Sequence, residues 1–300
     1  MTNQKSLTLS HGSLRFSAME CGDGPIVILL HGFPDTLRSW DAQLAFLADH
    51  GYRAIAVALR GYEPQSQPPD GDYSSPSLVS DVVAWIEQLG GGPVHLIGHD
   101  WGASIAYGVA MAVPNQIKSL SVLAVPHAGR FLSEIHYYPK QLRLSWYMLF
   151  FQLPRIADYV VRRNNFSFLR RLWRDWSPGW AFSEQQFAQV MEAFSRPQVV
   201  ESALAYYRAA IGLHSLPLGG SSREQAPWSV NVPTLGITGA DEGCIAADVF
   251  TSMMREEDFP EGLKVVTVAD AGHFPHREQP ALVNALLLEW LAAHESGESL

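Results

Sequence analysis

The segment of residues 94–107, VHLIGHDWGASIAY, constrains the fold more than any other stretch of the chain. A short apolar run ends at Gly98, a single acid follows at Asp100, and Gly102 opens a helical pattern of small and apolar residues. The two glycines fit a tight turn, because a side chain there would collide with the neighbouring strand or helix. The segment therefore predicts a strand, a sharp turn with Asp100 at its tip, and a helix.

Buried-strand patterns alternate with helical patterns on both sides of this segment. Residues 26–30 are continuously apolar, which is typical of strands that are buried on both faces, and we expect further strands at residues 94–97 and 120–125. Helical stretches separate them, so we expect an α/β fold with a mostly parallel, doubly wound sheet. The 300 residues, 47% of them hydrophobic, suffice for one large α/β domain with an inserted subdomain.

The pattern changes between residues 129 and 228. This stretch has no buried-strand pattern, only helical segments rich in aromatic residues and arginine and interrupted by prolines. Strand patterns resume at residues 234–238 and 263–268. We therefore expect residues 1–128 and 229–300 to form an α/β core domain and residues 129–228 to form an inserted helical cap.

Charge and cysteine content exclude several classes of partner. The net charge of −9 provides no basic field that would attract a nucleic acid. Cys21 and Cys244 stand far apart, so they indicate neither a disulfide framework nor a zinc site. The chain starts without a signal-peptide pattern and has no apolar run near the roughly 20 residues of a membrane span. We expect a cytoplasmic protein without a membrane span; the oligomeric state stays open, a homo-oligomer being one alternative.

The spacing of Gly98, Asp100 and Gly102 resembles the nucleophile elbow of the α/β-hydrolases. The elbow residue in that family is usually serine. A carboxylate is ionised at neutral pH and needs no base to activate it, so the resemblance implies attack by Asp100 on an electrophilic sp³ carbon. The product would be an alkyl-enzyme ester. The alternative reading of Asp100 is a helix N-cap, which is a common position for aspartate.

The segment His31-Gly32-Phe33-Pro34 follows an earlier buried strand and resembles the oxyanion segment of the same family. There, one backbone N–H comes from this segment and a second from the residue after the nucleophile. The resemblance assigns these donors to Phe33 and Trp101. Glycine and proline are also common in ordinary loops, so the motif is informative only together with the elbow downstream.

Two later segments provide a candidate base and a candidate acid. His273 lies where the family keeps its catalytic histidine, and imidazole has a suitable pKa for activating water. Asp241 and Glu242 offer two adjacent carboxylates to orient that histidine. The family places its acid three residues after a glycine such as Gly239, which favours Glu242. That position is most often aspartate, so Asp241 stays open as the alternative acid.

The two motifs together resemble the epoxide hydrolase branch of the α/β-hydrolases, although haloalkane dehalogenases share both. The cap distinguishes the two groups. In epoxide hydrolases two cap tyrosines donate hydrogen bonds to the epoxide oxygen, which a neutral phenol can do. The segments around Tyr147 and Tyr207 resemble the surroundings of those tyrosines, with Tyr206 as an alternative to Tyr207. Tyrosines in an aromatic-rich cap also serve as packing.

The sequence thus predicts an epoxide hydrolase that forms a vicinal diol through an ester on Asp100, which His273-activated water hydrolyses. This chemistry implies no cofactor and no metal. We expect Trp146 and Phe150 to line a pocket for a small hydrophobic epoxide. Two alternatives stay open: a haloalkane dehalogenase with the same nucleophile, in which Trp101 would hold the halide, and a non-catalytic hydrolase-fold protein that only binds a ligand.

Overall fold

The computed structural model describes residues 4–211 and 229–295, and an eight-stranded sheet forms their centre. The strands are β1 (Lys5–His11), β2 (Leu14–Cys21), β3 (Ile26–Leu30), β4 (Arg53–Val57), β5 (Val94–His99), β6 (Ile117–Leu123), β7 (Thr234–Gly239) and β8 (Leu263–Val268). They lie in the order β1-β2-β4-β3-β5-β6-β7-β8. β2 pairs antiparallel with β1 and β4, and the other neighbouring strands pair in parallel. The sheet is mostly parallel, as predicted.

Both faces of the sheet are covered by apolar side chains. Ile28 of β3 and Leu96 of β5 belong to one hydrophobic cluster, while their neighbours Leu29 and Ile97 belong to a second. All four side chains are fully buried. Successive strand residues point to opposite faces, so a strand buried on both faces is apolar at most of its positions. This is why β3 appears in the sequence as a continuous apolar run, whereas the equally buried β5 also contains His95. The mostly parallel sheet between helices confirms the predicted fold class.

Helices flank the sheet and fill the long connection between β6 and β7. The α-helices of the described residues are α1 (Asp41–Asp49), α2 (Ser75–Gln88), α3 (Trp101–Ala112), α4 (Ala128–Glu134), α5 (Pro139–Leu144), α6 (Trp146–Phe150), α7 (Ile156–Trp176), α8 (Glu184–Phe194), α9 (Val199–Ile211), α10 (Ala247–Met253), α11 (Pro275–Glu278) and α12 (Pro280–Ala293). α4 to α9 lie between β6 and β7, where the described residues contain no strand. Across the described parts of the chain, no helix is both long and apolar enough to cross a membrane.

The strand order reverses between β3 and β5: the chain continues from β3 outward to β4, and from β5 outward to β6. In open α/β sheets, ligands bind outside the carboxyl ends of the strands at such a reversal. Phe33 follows β3 and Asp100 follows β5, so these two residues meet at this point. Glu242 and His273 follow β7 and β8 at the same edge. The topology alone therefore brings four distant loops together.

Candidate active site

Asp100 occupies the tip of the turn between β5 and α3 with φ 52° and ψ −119°. A positive φ is rare for a residue with a side chain and marks local strain. A Cβ on Gly98 would overlap the backbone of Gly102, and a Cβ on Gly102 would overlap the carbonyl of Leu30. The strand, helix and neighbouring strand thus approach so closely that only glycine fits on either side of the acid.

The backbone around Phe33 presents a hydrogen-bond donor to the acid. The N–H of Phe33 donates a 2.6 Å hydrogen bond to Oδ1 of Asp100. A Cβ on Gly32 would overlap the Asp100 side chain, so this approach also requires glycine. Trp101 is the first residue of α3. The N–H groups at the start of a helix have no carbonyl acceptor within the helix, so the Trp101 N–H is free of a helical hydrogen bond. Of the two predicted oxyanion donors, the Phe33 N–H contacts the carboxylate, and Trp101 follows Asp100 directly at the start of α3.

His273 lies between two carboxylates. Its Nδ1 is 3.0 Å from each carboxylate oxygen of Glu242, and its Nε2 is 3.6 Å from Oδ2 of Asp100. Glu242 Oε1 also accepts hydrogen bonds of 2.8 and 3.3 Å from the N–H groups of Cys244 and Ile245. All three titratable side chains are buried. The Glu242 pair fixes the ring so that Nε2 faces Asp100.

Asp241, the alternative acid, lies away from the imidazole. It is exposed, and its backbone N–H donates to the carbonyl of Ala271. Adjacent residues leaving the end of a strand point in opposite directions. The structure therefore brings Glu242, and not Asp241, to His273.

The charges around His273 set its protonation state. Burial alone would lower the pKa of this imidazole, but the carboxylates of Glu242 and Asp100 raise it to about 10. Burial alone would raise the pKa of Asp100, whereas the nearby His273 and the Phe33 N–H hold that pKa below its ordinary value. At neutral pH the free site therefore contains an imidazolium between two carboxylates.

Tyr147 and Tyr207 meet Asp100 in a cavity of about 240 Å³. A single water needs only about 10–15 Å³, so the cavity has room for a ligand. The two tyrosine rings are 5.8 Å apart, and burial raises the pKa of each phenol well above its ordinary value. The Tyr147 hydroxyl lies 3.2 Å from the sulfur of Cys244, and the Tyr207 hydroxyl makes no hydrogen bond to the described residues. Both phenols are neutral at physiological pH.

Tyr206, the alternative to Tyr207, faces another way. Its hydroxyl donates a 2.7 Å hydrogen bond to the carbonyl of Arg60, and its ring packs against Tyr62. It is not among the residues that line the cavity. The hydroxyl of Tyr206 is therefore engaged in holding α9 on the loop after β4.

The structure corrects the prediction that Trp146 and Phe150 line the pocket. Trp146 is 43% exposed, its ring contacts Phe150 and Phe168, and neither Trp146 nor Phe150 borders the cavity. Residues four apart share one side of a helix. Trp146 and Phe150 therefore lie together on the outer side of α6, while Tyr147 and Phe151 face inward and are buried.

Two further neighbours of the site, Trp176 and Cys244, were not predicted as site residues from the sequence. The ring of Trp176 lies 4.9 Å from the rings of both His273 and Tyr147, and its carbonyl accepts the N–H of His273. Nothing in the sequence separates Trp176 from the other aromatic residues of the inserted helices. Cys244 contacts the Tyr147 hydroxyl, and its position two residues after Glu242 was the only available signal.

Within the part of the chain that the structure describes, two groups of buried side chains have ligand atoms close enough together for a cation: Asp35, His99 and His276, and Glu242, Cys244 and His273. In each group the acid already pairs with a protein cation. Asp35 lies 3.0 Å from the guanidinium of Arg277, and Glu242 pairs with His273. Burial lowers the pKa of His99 to about 4, so this imidazole stays neutral beside the site.

A sharp strand-to-helix turn that lifts one side chain above a mostly parallel sheet is characteristic of α/β-hydrolases, and the geometry at Asp100 is of this class. Residues 27–286 match the alpha/beta hydrolase family, so the chain belongs to that family. Within the family it falls in the branch that includes the epoxide hydrolases.

The similarity to individual relatives extends over nearly the whole chain. The chain is 30% identical over 280 residues to the AB hydrolase superfamily protein YfhM of Bacillus subtilis, covering 93% of this chain and 94% of that protein. It is 30% identical over 313 residues to epoxide hydrolase 3 of Siraitia grosvenorii, covering 97% and 99%. A Bacillus megaterium epoxide hydrolase crystallised with an inhibitor matches with a TM-score of 0.82 at 27% identity, covering 95% and 100%.

Proposed function

We propose that the protein is an epoxide hydrolase that converts an epoxide to a vicinal diol through a covalent ester on Asp100. The observation that carries the proposal is the cavity in which the Asp100 carboxylate faces two neutral phenols, Tyr147 and Tyr207. A carboxylate can open the ring from the back, and phenols can donate to the oxygen that is released. Relatives named as epoxide hydrolases support the same reaction.

In the first step Asp100 attacks a ring carbon, and the carbon–oxygen bond of the epoxide breaks. Tyr147 and Tyr207 donate hydrogen bonds to the oxygen and pass a proton to it, and the His273 imidazolium replaces that proton. The negative charge of Asp100 and the positive charge of His273 therefore disappear together. A buried site disfavours a change in net charge, so this coupled loss keeps the step accessible.

In the second step water hydrolyses the ester. Because the ester carries no charge, Glu242 is the one anionic group that still faces His273, and the pKa of His273 falls. The neutral imidazole can then accept a proton from water. The N–H groups of Phe33 and Trp101 would stabilise the oxyanion of the tetrahedral intermediate. When the ester bond breaks, the diol keeps one water proton, His273 holds the other, and one water oxygen stays on Asp100.

We further propose that residues 129–228 act as a cap over a core of residues 1–128 and 229–300. The inserted helices α6 and α9 contribute Tyr147 and Tyr207, while Asp100 belongs to the sheet region. Such a division would allow the inserted helices to set substrate choice while the sheet carries the nucleophile and base.

A single turnover in ¹⁸O-labelled water tests the ester mechanism. After one turnover with an aryl epoxide, the peptide that contains Asp100 should carry the label, because water attacks the ester carbonyl. Direct attack of water on the epoxide would label only the diol and would exclude the ester. Halide release from simple haloalkanes without diol formation would favour the dehalogenase alternative. Thermal stabilisation by epoxides with no turnover would favour a binding protein.

A further inference from the structure

We propose that this site prefers terminal epoxides that carry one long, unbranched apolar substituent and excludes epoxides with bulky groups on both ring carbons. The inference rests on the proposed function and concerns the shape of the cavity around Asp100. Three features carry it: the direction in which the cavity extends, its lining, and the filling of the space on the opposite side.

The cavity extends along one side of α3. Trp101, Ser104, Ile105, Gly108 and Met111 all border it. Residues of successive turns are three or four apart, with Ser104 and Ile105 side by side in one turn, so the five residues form one continuous stripe on the helix. From Trp101 to Met111 the stripe is about 15 Å long at 1.5 Å per residue. The cavity is therefore elongated, with Asp100 at one end and Met111 at the other.

The lining suits a hydrocarbon chain. Among the described residues that line the cavity, Asp100 is the only one with a charged side chain, and Leu78, Phe131 and Leu132 face the stripe from the other elements. Met111 and Leu132 are 43% and 59% exposed, so the far end opens to solvent. A charged group on the substituent could reach water only at that far end, because burial of an unpaired charge inside the cavity is costly.

The opposite side of Asp100 is filled. Asp100 follows β5, which lies between β3 and β6. On the β6 side, Val125 lines the cavity, whereas on the β3 side Phe33 does not. The ring of Phe33 is fully buried and lies 5.4 Å from the ring of Phe151 and 5.8 Å from that of Phe194. This cluster of Phe33, Phe151 and Phe194 occupies the place that a second substituent would need.

The length of the stripe sets the preferred chain length. Three backbone bonds of an extended chain span about 3.3–3.6 Å, so about 15 Å accommodates on the order of a dozen bonds. Chains up to about this length gain buried contact with each added carbon. We therefore expect catalytic efficiency to rise through terminal epoxybutane, epoxyoctane and epoxydodecane.

The test compares these terminal epoxides with an internal epoxyoctane and with trans-stilbene oxide on the unmodified protein. The expected kcat/KM is at least tenfold higher for terminal epoxyoctane than for epoxybutane, and at least tenfold lower for either internal epoxide than for terminal epoxyoctane. Equal turnover of internal and terminal epoxyoctane would overturn the inference and leave the proposed function standing. No diol from any epoxide would overturn the proposed function and, with it, the inference.

A matched pair of variants tests the direction of the cavity. Ser104→Leu places a larger side chain in the stripe and should lower the ratio of epoxydodecane to epoxybutane efficiency at least tenfold. Ala112→Leu adds the same side chain to an exposed position of α3 that does not border the cavity, and it should leave this ratio unchanged. An unchanged ratio in Ser104→Leu would show that the substituent lies elsewhere.

Discussion

Nδ1 of His273 lies 3.0 Å from both carboxylate oxygens of Glu242, a buried acid–imidazole pair at the carboxyl edge of the sheet. The pair directs Nε2 toward Asp100 at 3.6 Å. Together the two carboxylates raise the pKa of His273 to about 10. The same geometry therefore orients the ring and keeps it charged while both carboxylates are ionised.

The stability of the protein should depend on the charge of His273. Its pKa is about 10 in the folded state and ordinarily 6.5, so the folded state binds a proton more tightly than the unfolded state. Linkage then gives a stabilisation that is complete below the ordinary pKa and is lost as the pH rises through about 10. Urea unfolding from neutral to alkaline pH should show this loss. The free energy of unfolding of His273→Gln should fall less over this pH range. Equal pH dependence in the variant and the wild type would contradict the raised pKa of His273.

Glu242→Gln should reduce turnover by about 100-fold or more, the usual scale for a disabled general base. The variant removes the negative charge beside Nδ1, so the pKa of His273 should fall by about 1–3 units. Imidazole NMR and the pH dependence of kcat measure the two effects. Asp241→Asn is the matched control, because Asp241 is exposed, and it should behave like the wild type. A larger loss in the control would reverse the choice of acid.

His273→Gln should trap the ester. The variant retains Asp100 and both tyrosines, so ring opening can proceed, but it lacks the base that activates water. Intact-protein mass spectrometry after exposure to an epoxide should show an increase equal to the mass of one substrate molecule. Asp100→Asn should show no such increase. Steady diol production by His273→Gln would rule out its role as the base.

Tyr147→Phe and Tyr207→Phe should each lower kcat/KM. A positioned general acid accelerates a reaction by about 10²–10⁴-fold. Because two phenols share this role, each single variant should lower kcat/KM by about 10–100-fold. Tyr206→Phe is the control, since its hydroxyl bonds to the Arg60 carbonyl away from the cavity. It should lower stability by about 0.5–1.5 kcal/mol while leaving kcat nearly unchanged. If Tyr206→Phe lowered kcat/KM as much as the other two variants, the tyrosines would act by packing and not by proton donation.

Gly98→Ala should destabilise the fold. The added Cβ would overlap the backbone of Gly102 and Ala103, and an overlap with backbone costs about 1–3 kcal/mol or more because neither element can move freely. Gly92→Ala is the control, because a Cβ at Gly92 meets nothing within 4 Å. Chemical unfolding of both variants measures the difference. Equal stability would mean that the turn has more room than the structure indicates.

The fold class and the strand-turn-helix around Asp100 were predictable from the sequence because they depend on local patterns. Strands buried on both faces are predominantly apolar, and a turn this tight excludes side chains beside it. Gly98 and Gly102 carry that information within a few residues of Asp100. The positions of β3, β5, β7 and β8 followed from the same kind of pattern.

Only the tertiary structure decided which neighbouring side chains face the cavity. The sequence left Asp241 and Glu242 open, and the direction of the chain leaving β7 brought Glu242 to His273. It suggested Trp146 for the pocket, and the rotation of α6 turned that ring outward and Tyr147 inward. A local pattern fixes the type of an element, but the rotation of an inserted helix depends on packing between segments distant in sequence, which no local pattern records.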